Sequence, residues 1–237
     1  MFSFRRFTIL LLVAVIFTAV AAAQSGSQRE MTIEESYLQD SIEIMIIKEM
    51  SRGTSREHKI ASLDYIGDAL ERGNKSDEIR QTLEFLSMEG TRSTARERGR
   101  VMNNYTDVRR RAVRYLGMIG NEESRKTIIS VLEVEREPMV IVEAIRALGD
   151  IGTNVNNETV RNICWVINRN LSTNADNSMV MAFMGAIKNI IRKNNGLNNS
   201  PEAIQTLMRI SEAPLFNNEV KTAARQLLAE LRAYGRQ

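Results

Sequence analysis

From about residue 33 onward, apolar side chains recur every three or four positions, and no stretch alternates with period two. Ile33, Tyr37, Leu38, Ile42 and Met45 make a first stripe, followed by Leu63, Ile66 and Leu70, then Ile79, Leu83 and Leu86. Further stripes run through Val108, Ala112, Leu116 and Ile119 and through Ile128, Val131 and Leu132. That spacing puts each set on one face of a helix, so the chain reads as all-α. The prolines agree. Pro138 follows Glu137 at a helix start, Pro201 follows Ser200 as first helical residue after an N-cap, and Pro214 follows Ala213 where a helix should stop. Five antiparallel helix pairs are expected: 33–50 with 56–71, 75–88 with 107–119, 121–135 with 138–151, 156–171 with 176–193, and 200–212 with 216–234.

The helices are self-similar. Residues 108–120 read VRRRAVRYLGMIG and residues 140–152 read VIVEAIRALGDIG, pairing Ala112 with Ala144, Leu116 with Leu148, Gly117 with Gly149 and Gly120 with Gly152. Residues 58–70 repeat the pattern with Ser62 at the alanine place and Gly67 at the first glycine. Residues 220–228 repeat it with Val220, Ala224 and Leu228, while the segment around Met179 to Ile191 is degenerate. A small residue in mid-helix admits a close neighbour, leucine fills the space between helices, the first glycine relieves crowding where the next helix crosses, and the second glycine caps the helix. This V-R-x-x-A-x-x-x-L-G-x-I-G pattern resembles HEAT repeats, particularly the short kind of phycobilisome-lyase-type and other bacterial HEAT-like proteins. The resemblance implies an α-solenoid over residues 33–237, with the second helix of each pair lining a concave side, and a role in binding other proteins.

The first 23 residues read differently. Arg5 and Arg6 precede the apolar run Ile9 to Val20, and Ala21-Ala22-Ala23 before Gln24 is a small-residue cleavage site, which together read as a signal peptide followed by a short linker, 24–32. The run is short for a membrane span, so a membrane association is expected only if the segment is left uncleaved. The expected location is periplasmic or secreted. Charge changes accordingly. The whole chain of 237 residues has 32 Lys+Arg, 29 Asp+Glu and a formal +3, but loss of Arg5 and Arg6 leaves +1, with Phe2, Phe4, Phe7 and Phe17 gone as well. One Trp, five Tyr and three Phe then leave few aromatic faces for stacking bases, so no nucleic-acid partner is expected.

The remaining basicity is concentrated in residues 91–114, where eight arginines face only Glu97 and Asp107. Residues 89–105 are also the longest insertion between helices. Two readings stand side by side. Arg96, Arg98, Arg100, Arg109, Arg110, Arg111 and Arg114 form a patch for an envelope protein with an acidic surface, or the helix carries structural links, since Asp107 and Arg109 resemble the acid and base of inter-repeat ladders, with Lys59 and Lys221 at Arg109's place in other copies. Other chemistry is thin. One histidine, His58, and one cysteine, Cys164, cannot supply a His- or Cys-based metal site. Cys164 beside Trp165 reads as core. Met179, Met181 and Met184 read as core filler or as the lining of an adaptable groove. Glu35-Ser36-Tyr37 is similar to the E-S-aromatic motif of lytic transglycosylases, but that family's other segments are missing. No catalytic residue, cofactor or metal is expected. The expected role is a non-catalytic exported scaffold, with an envelope enzyme or lyase-like subunit on the same frame as the alternative.

Overall fold

A computed structural model describes residues 32–92, 94–171, 176–197 and 200–234. The chain forms two compact units, Met1–Ser41 and Ile42–Gln237. Ten α-helices run through the described residues: α1 Ile33–Arg52, α2 Arg56–Glu71, α3 Asp77–Ser87, α4 Thr106–Ile119, α5 Glu122–Val134, α6 Pro138–Ile151, α7 Glu158–Leu171, α8 Asn177–Asn194, α9 Pro201–Glu212 and α10 Asn218–Tyr234. They are the five expected pairs, each boundary within a few residues. The proposed signal peptide (1–23) and all of the linker but Thr32 lie outside the described residues.

Within the larger unit the helices pack in two layers. The first helices α3, α5, α7 and α9 each touch the next, and so do the second helices α2, α4, α6, α8 and α10. This is a HEAT-like solenoid arrangement, and the repeated small residues explain it. Ser62, Ala112, Ala144 and Ala224 are all fully buried, and Ser62 Oγ donates to the Ile47 carbonyl at 2.9 Å. A Cβ on Gly117 would stand 2.8 Å from the Ala147 Cβ, and one on Gly149 would stand 2.6 Å from the Ala186 Cα. Glycine is what lets α4 meet α6, and α6 meet α8, at that distance. The second glycines do what was expected of them. Gly120 and Gly152 adopt left-handed φ of 73° and 72° and close α4 and α6 with bonds to the Leu116 and Leu148 carbonyls. Lysines complete both ends, Lys75 Nζ on the Met118 carbonyl at 2.6 Å and Lys193 Nζ on the Asp150 carbonyl. The degenerate copy is physically different too. Phe183 and Lys188 stand in α8 where Ala144 and Gly149 stand in α6 when Ala147 is matched to Ala186, and α10 packs against α8 less extensively than α8 against α6.

Three expectations need correction, and the insertion adds an element beyond them: Arg96–Glu97 pairs antiparallel with Arg100–Val101, around a two-residue turn in which Arg98 and Gly99 have φ of 49° and 81°. Leu38, Ile42 and Met45 of the first apolar stripe are not core. Ile42 and Met45 are exposed, Met45 by 68%, while Ile47 and Ser51 are buried in α1, because α1 opens the array and no described helix covers its outer side. Ser200 precedes α9 without capping it through its side chain. Finally, Trp165 is not core: it is 48% exposed.

Candidate functional site

The arginine cluster separates into three environments. Arg109, on the first turn of α4, is 1% exposed. Its Nε donates to Glu135 Oε2 at 2.7 Å, and its Nη1 donates to the Glu89 carbonyl at 3.0 Å and to Asn104 Oδ1 at 2.8 Å. Glu135 lies just past α5, and its Oε1 also accepts from the Arg136 and Glu137 amides. One repeat earlier the same construction recurs: buried Lys59 on α2 pairs at 3.0 Å with Glu89, just past α3. Asn103 Nδ2 donates to the other Glu89 oxygen at 2.7 Å, and Asn103 Oδ1 accepts from the Ala95 amide at 2.8 Å, which fastens the hairpin to the ladder. Arg109 is therefore a buried inter-repeat strut and not part of a surface patch; the structural alternative holds for it. Asp107 is likewise engaged, with Arg56 on α2. Burial pushes its carboxyl up, and the hydrogen bond and charge of Arg56 outweigh that and hold it below the ordinary aspartate range.

The second environment is the solvent face of the second-helix layer. Arg111 pairs with Asp64 at 2.6 Å and donates to Tyr115 Oη at 2.9 Å. Arg114, with a side chain 55% exposed, pairs with Glu143 at 2.8 Å. Arg110 has no carboxylate partner among the described residues. With Arg114, Met139, Arg146 and Asp176 it lines a hollow of about 170 Å³ between α4, α6 and the start of α8. Arg146 also lines the next hollow, about 290 Å³, with Asp150, Met181, Gly185 and Asn189. The two hollows share that arginine and so make one shallow track across three repeats. Gly185 forms its floor, with nothing within 4 Å of where a Cβ would sit. The methionines divide: Met179 and Met184 are core, whereas Met181 and Met139 are exposed on this track. Sequence reasoning missed Arg146 because it lies outside the charge cluster; its place on the exposed face of α6, beyond Val142 and Glu143, was the available signal.

The third environment is the hairpin, where Arg96 and Arg98 are exposed. Arg100 lies in its second strand, and its side chain lies outside the described residues. The patch of seven arginines thus becomes a hairpin tip, a partly paired helix face and a buried strut.

The remaining candidates are structural. Cys164 is buried, and burial pushes its thiol up to about 12, against a nucleophilic role. Glu35 accepts from the Thr32 amide at 3.0 Å while Thr32 Oγ1 accepts from the Glu35 amide at 3.2 Å, a capping box at the start of α1 rather than an acid poised over a substrate. The His58 amide donates to the Ser55 cap of α2. Among the described residues, no group of three His, Cys, Asp or Glu could hold a metal ion, and no helix is long and apolar enough to cross a membrane.

Comparison with known proteins agrees with this architecture. Residues 103–164 match the family of HEAT repeats. No curated protein matches the chain. Among solved structures, the complex of CpcE and CpcF of phycocyanin lyase from Nostoc sp. PCC7120 is similar at 16% identity and a TM-score of 0.52, over 89% of this chain and 70% of that one. Repeat pattern, layered helices and these likenesses agree on a HEAT-like helical-repeat protein.

Proposed function

We propose that the chain is an exported, non-catalytic scaffold of the cell envelope that binds a protein partner across the solvent face of its second helices. The observation that carries this reading is the track of Arg110, Arg114, Met139, Arg146 and Met181 spanning α4, α6 and α8. A rigid repeat array presents such a surface preformed, so little ordering opposes binding. Arg110 and Arg146 form no ion pair with a described carboxylate and so can meet an acidic partner surface, and methionine adapts to its shape. The signal-peptide pattern supports export. The fold neighbour is a complex of two proteins, which supports a protein partner for a chain of this shape.

The test is recovery of partner proteins from an envelope fraction by the exported chain and by an Arg110→Glu/Arg146→Glu variant. Loss of specific recovery is expected; unchanged recovery rejects the track as the binding face. The alternative, a lyase-like subunit, is favoured by the fold neighbour being a phycocyanin lyase. It requires the recovered complex to show a catalytic activity that the partner alone lacks.

A further inference from the structure

We propose that the solvent face of α7, centred on Trp165, is a second docking surface, and that its occupant is an acidic segment of a protein partner. This goes beyond the reading above, since α7 belongs to the opposite helix layer from the track.

The centre of the face is an anchor held in place. Trp165 is the one tryptophan of the chain and is nearly half exposed. Arg169, one turn further on, lies over its ring at 4.7 Å from the centroid. The guanidinium is itself fastened, with Nη1 on the Glu133 carbonyl at 3.2 Å and Nη2 on the Glu135 carbonyl at 2.9 Å. Ring and cation therefore keep one arrangement before any partner arrives, which lowers the ordering cost of binding. A large amphipathic ring with an arginine beside it is also the pair most enriched where interfaces concentrate their energy.

The surroundings are cationic. Arg161 lies one turn before Trp165 on the same face. Arg209 of α9 reaches across to Asn168, with Nη1 donating to its Oδ1 at 3.0 Å. Arg136 follows Glu135, whose carbonyl Arg169 holds, just past the end of α5. Burial lowers the pKa of Arg169, the Arg136 charge lowers it further, and Glu135 opposes both. None of Arg136, Arg161, Arg169 and Arg209 has a carboxylate partner among the described residues, whereas Arg56, Arg80, Arg111, Arg114 and Arg125 each have one. Two nearby acids are committed elsewhere, Glu135 to Arg109 and Glu158 to Arg125, and the four cations outnumber the remaining Glu133, whose backbone carbonyl holds Arg169, and Glu202, whose charge reaches Cys164. Four cations around one aromatic fit carboxylates flanking an apolar side chain. A single aromatic gives no succession of faces for stacked bases, which sets nucleic acid behind an acidic peptide.

Because Trp165 is the sole tryptophan, its emission reports this face and no other. The experiment titrates the full mature chain at physiological salt with a short glutamate–leucine peptide, with the matching lysine–leucine peptide and a single-stranded oligonucleotide as comparisons. A saturable change in Trp165 emission with the glutamate peptide alone is expected, weakened about tenfold or more in an Arg136→Gln/Arg161→Gln/Arg209→Gln variant whose circular dichroism matches the parent. No saturable change, a response kept in full by the triple variant, or a response to the oligonucleotide and not to the peptide overturns the proposal. The Arg110→Glu/Arg146→Glu variant leaves α7 intact and is expected to keep the Trp165 response, so the two surfaces fail or stand separately.

Discussion

Arg109 and Arg114 sit on the same helix, within one run of sequence charge, and the two faces of α4 treat them oppositely. Arg109 enters the seam between repeats, loses its water and takes Glu135, the Glu89 carbonyl and Asn104 in exchange. Arg114 stays on the solvent face, more than half exposed, with one carboxylate across the groove. The same side chain is a strut in one region and an adaptable contact in the other. What separates them is whether a neighbouring repeat delivers a carboxylate to a closed place. A cluster of arginines in a repeat protein is therefore sorted by repeat position before any of it is read as a binding patch.

The sharpest way to break the contrast is to remove Glu135. Glu135→Ala leaves a buried, uncompensated guanidinium and is expected to cost about 3–5 kcal/mol, a fall in melting temperature on the order of 10 °C. A fall of less than about 3 °C would mean that the strut contributes little. Two glycines make the next test, and their signs differ. Gly149→Ala forces a methyl against the α8 backbone beside Ala186, and overpacking of that kind costs about 1–3 kcal/mol, more than the helix gains from alanine. Gly185→Ala meets open space, so only the propensity gain of up to about 1 kcal/mol remains. Thermal melts of both variants that moved in the same direction would refute the account of helix approach.

These particulars show what was legible. Helices, pairs and close approaches are local or periodic, and residues such as Gly117, Gly149 and Pro138 carry them one at a time. Burial of Arg109 is not local. It needs Glu135 from the following repeat, and the hint lay in the parallel placement of Glu89 and Glu135 just past successive first helices. Trp165 was hidden differently. The run Ile163 to Ile167 looks uniformly apolar, yet in a helix whose buried face holds Ile163, Cys164, Val166 and Ile167 the residue between them points outward. The hairpin turn was masked by charge, since Arg98 stands at a left-handed position usually given to Asn, Asp or Gly. Site residues on the track depend on which face of the layer meets solvent, and no single helix specifies that.

Smaller effects belong to the exposed region. Arg114→Ala should cost about 1–2 kcal/mol, less than Glu135→Ala, because water screens the Arg114 side of the pair while the mostly buried Glu143 loses its partner. A loss comparable with that of Glu135→Ala would erase the distinction between the two faces of α4.

The smallest effect is a slope with pH. The Arg125 hydrogen bond draws Glu122 down, burial opposes it, and the Arg125 charge adds to the lowering; Asp77 is held down in the same sense by Arg80 and Gln81. A carboxyl depressed in the folded state contributes stability that is fully present above its unfolded pKa, about 4 for these groups, and is lost as pH falls through the lower folded value. Melting temperature should therefore be flat with respect to these two groups near neutrality and decline as pH drops below about 4. Glu122→Gln should make that decline shallower while leaving the neutral-pH contrast between Glu135→Ala and Arg114→Ala in place. An acid limb unchanged by Glu122→Gln would mean that Arg125 draws its stabilising charge from Glu158, its other partner at 2.6 Å, and not from within its own helix.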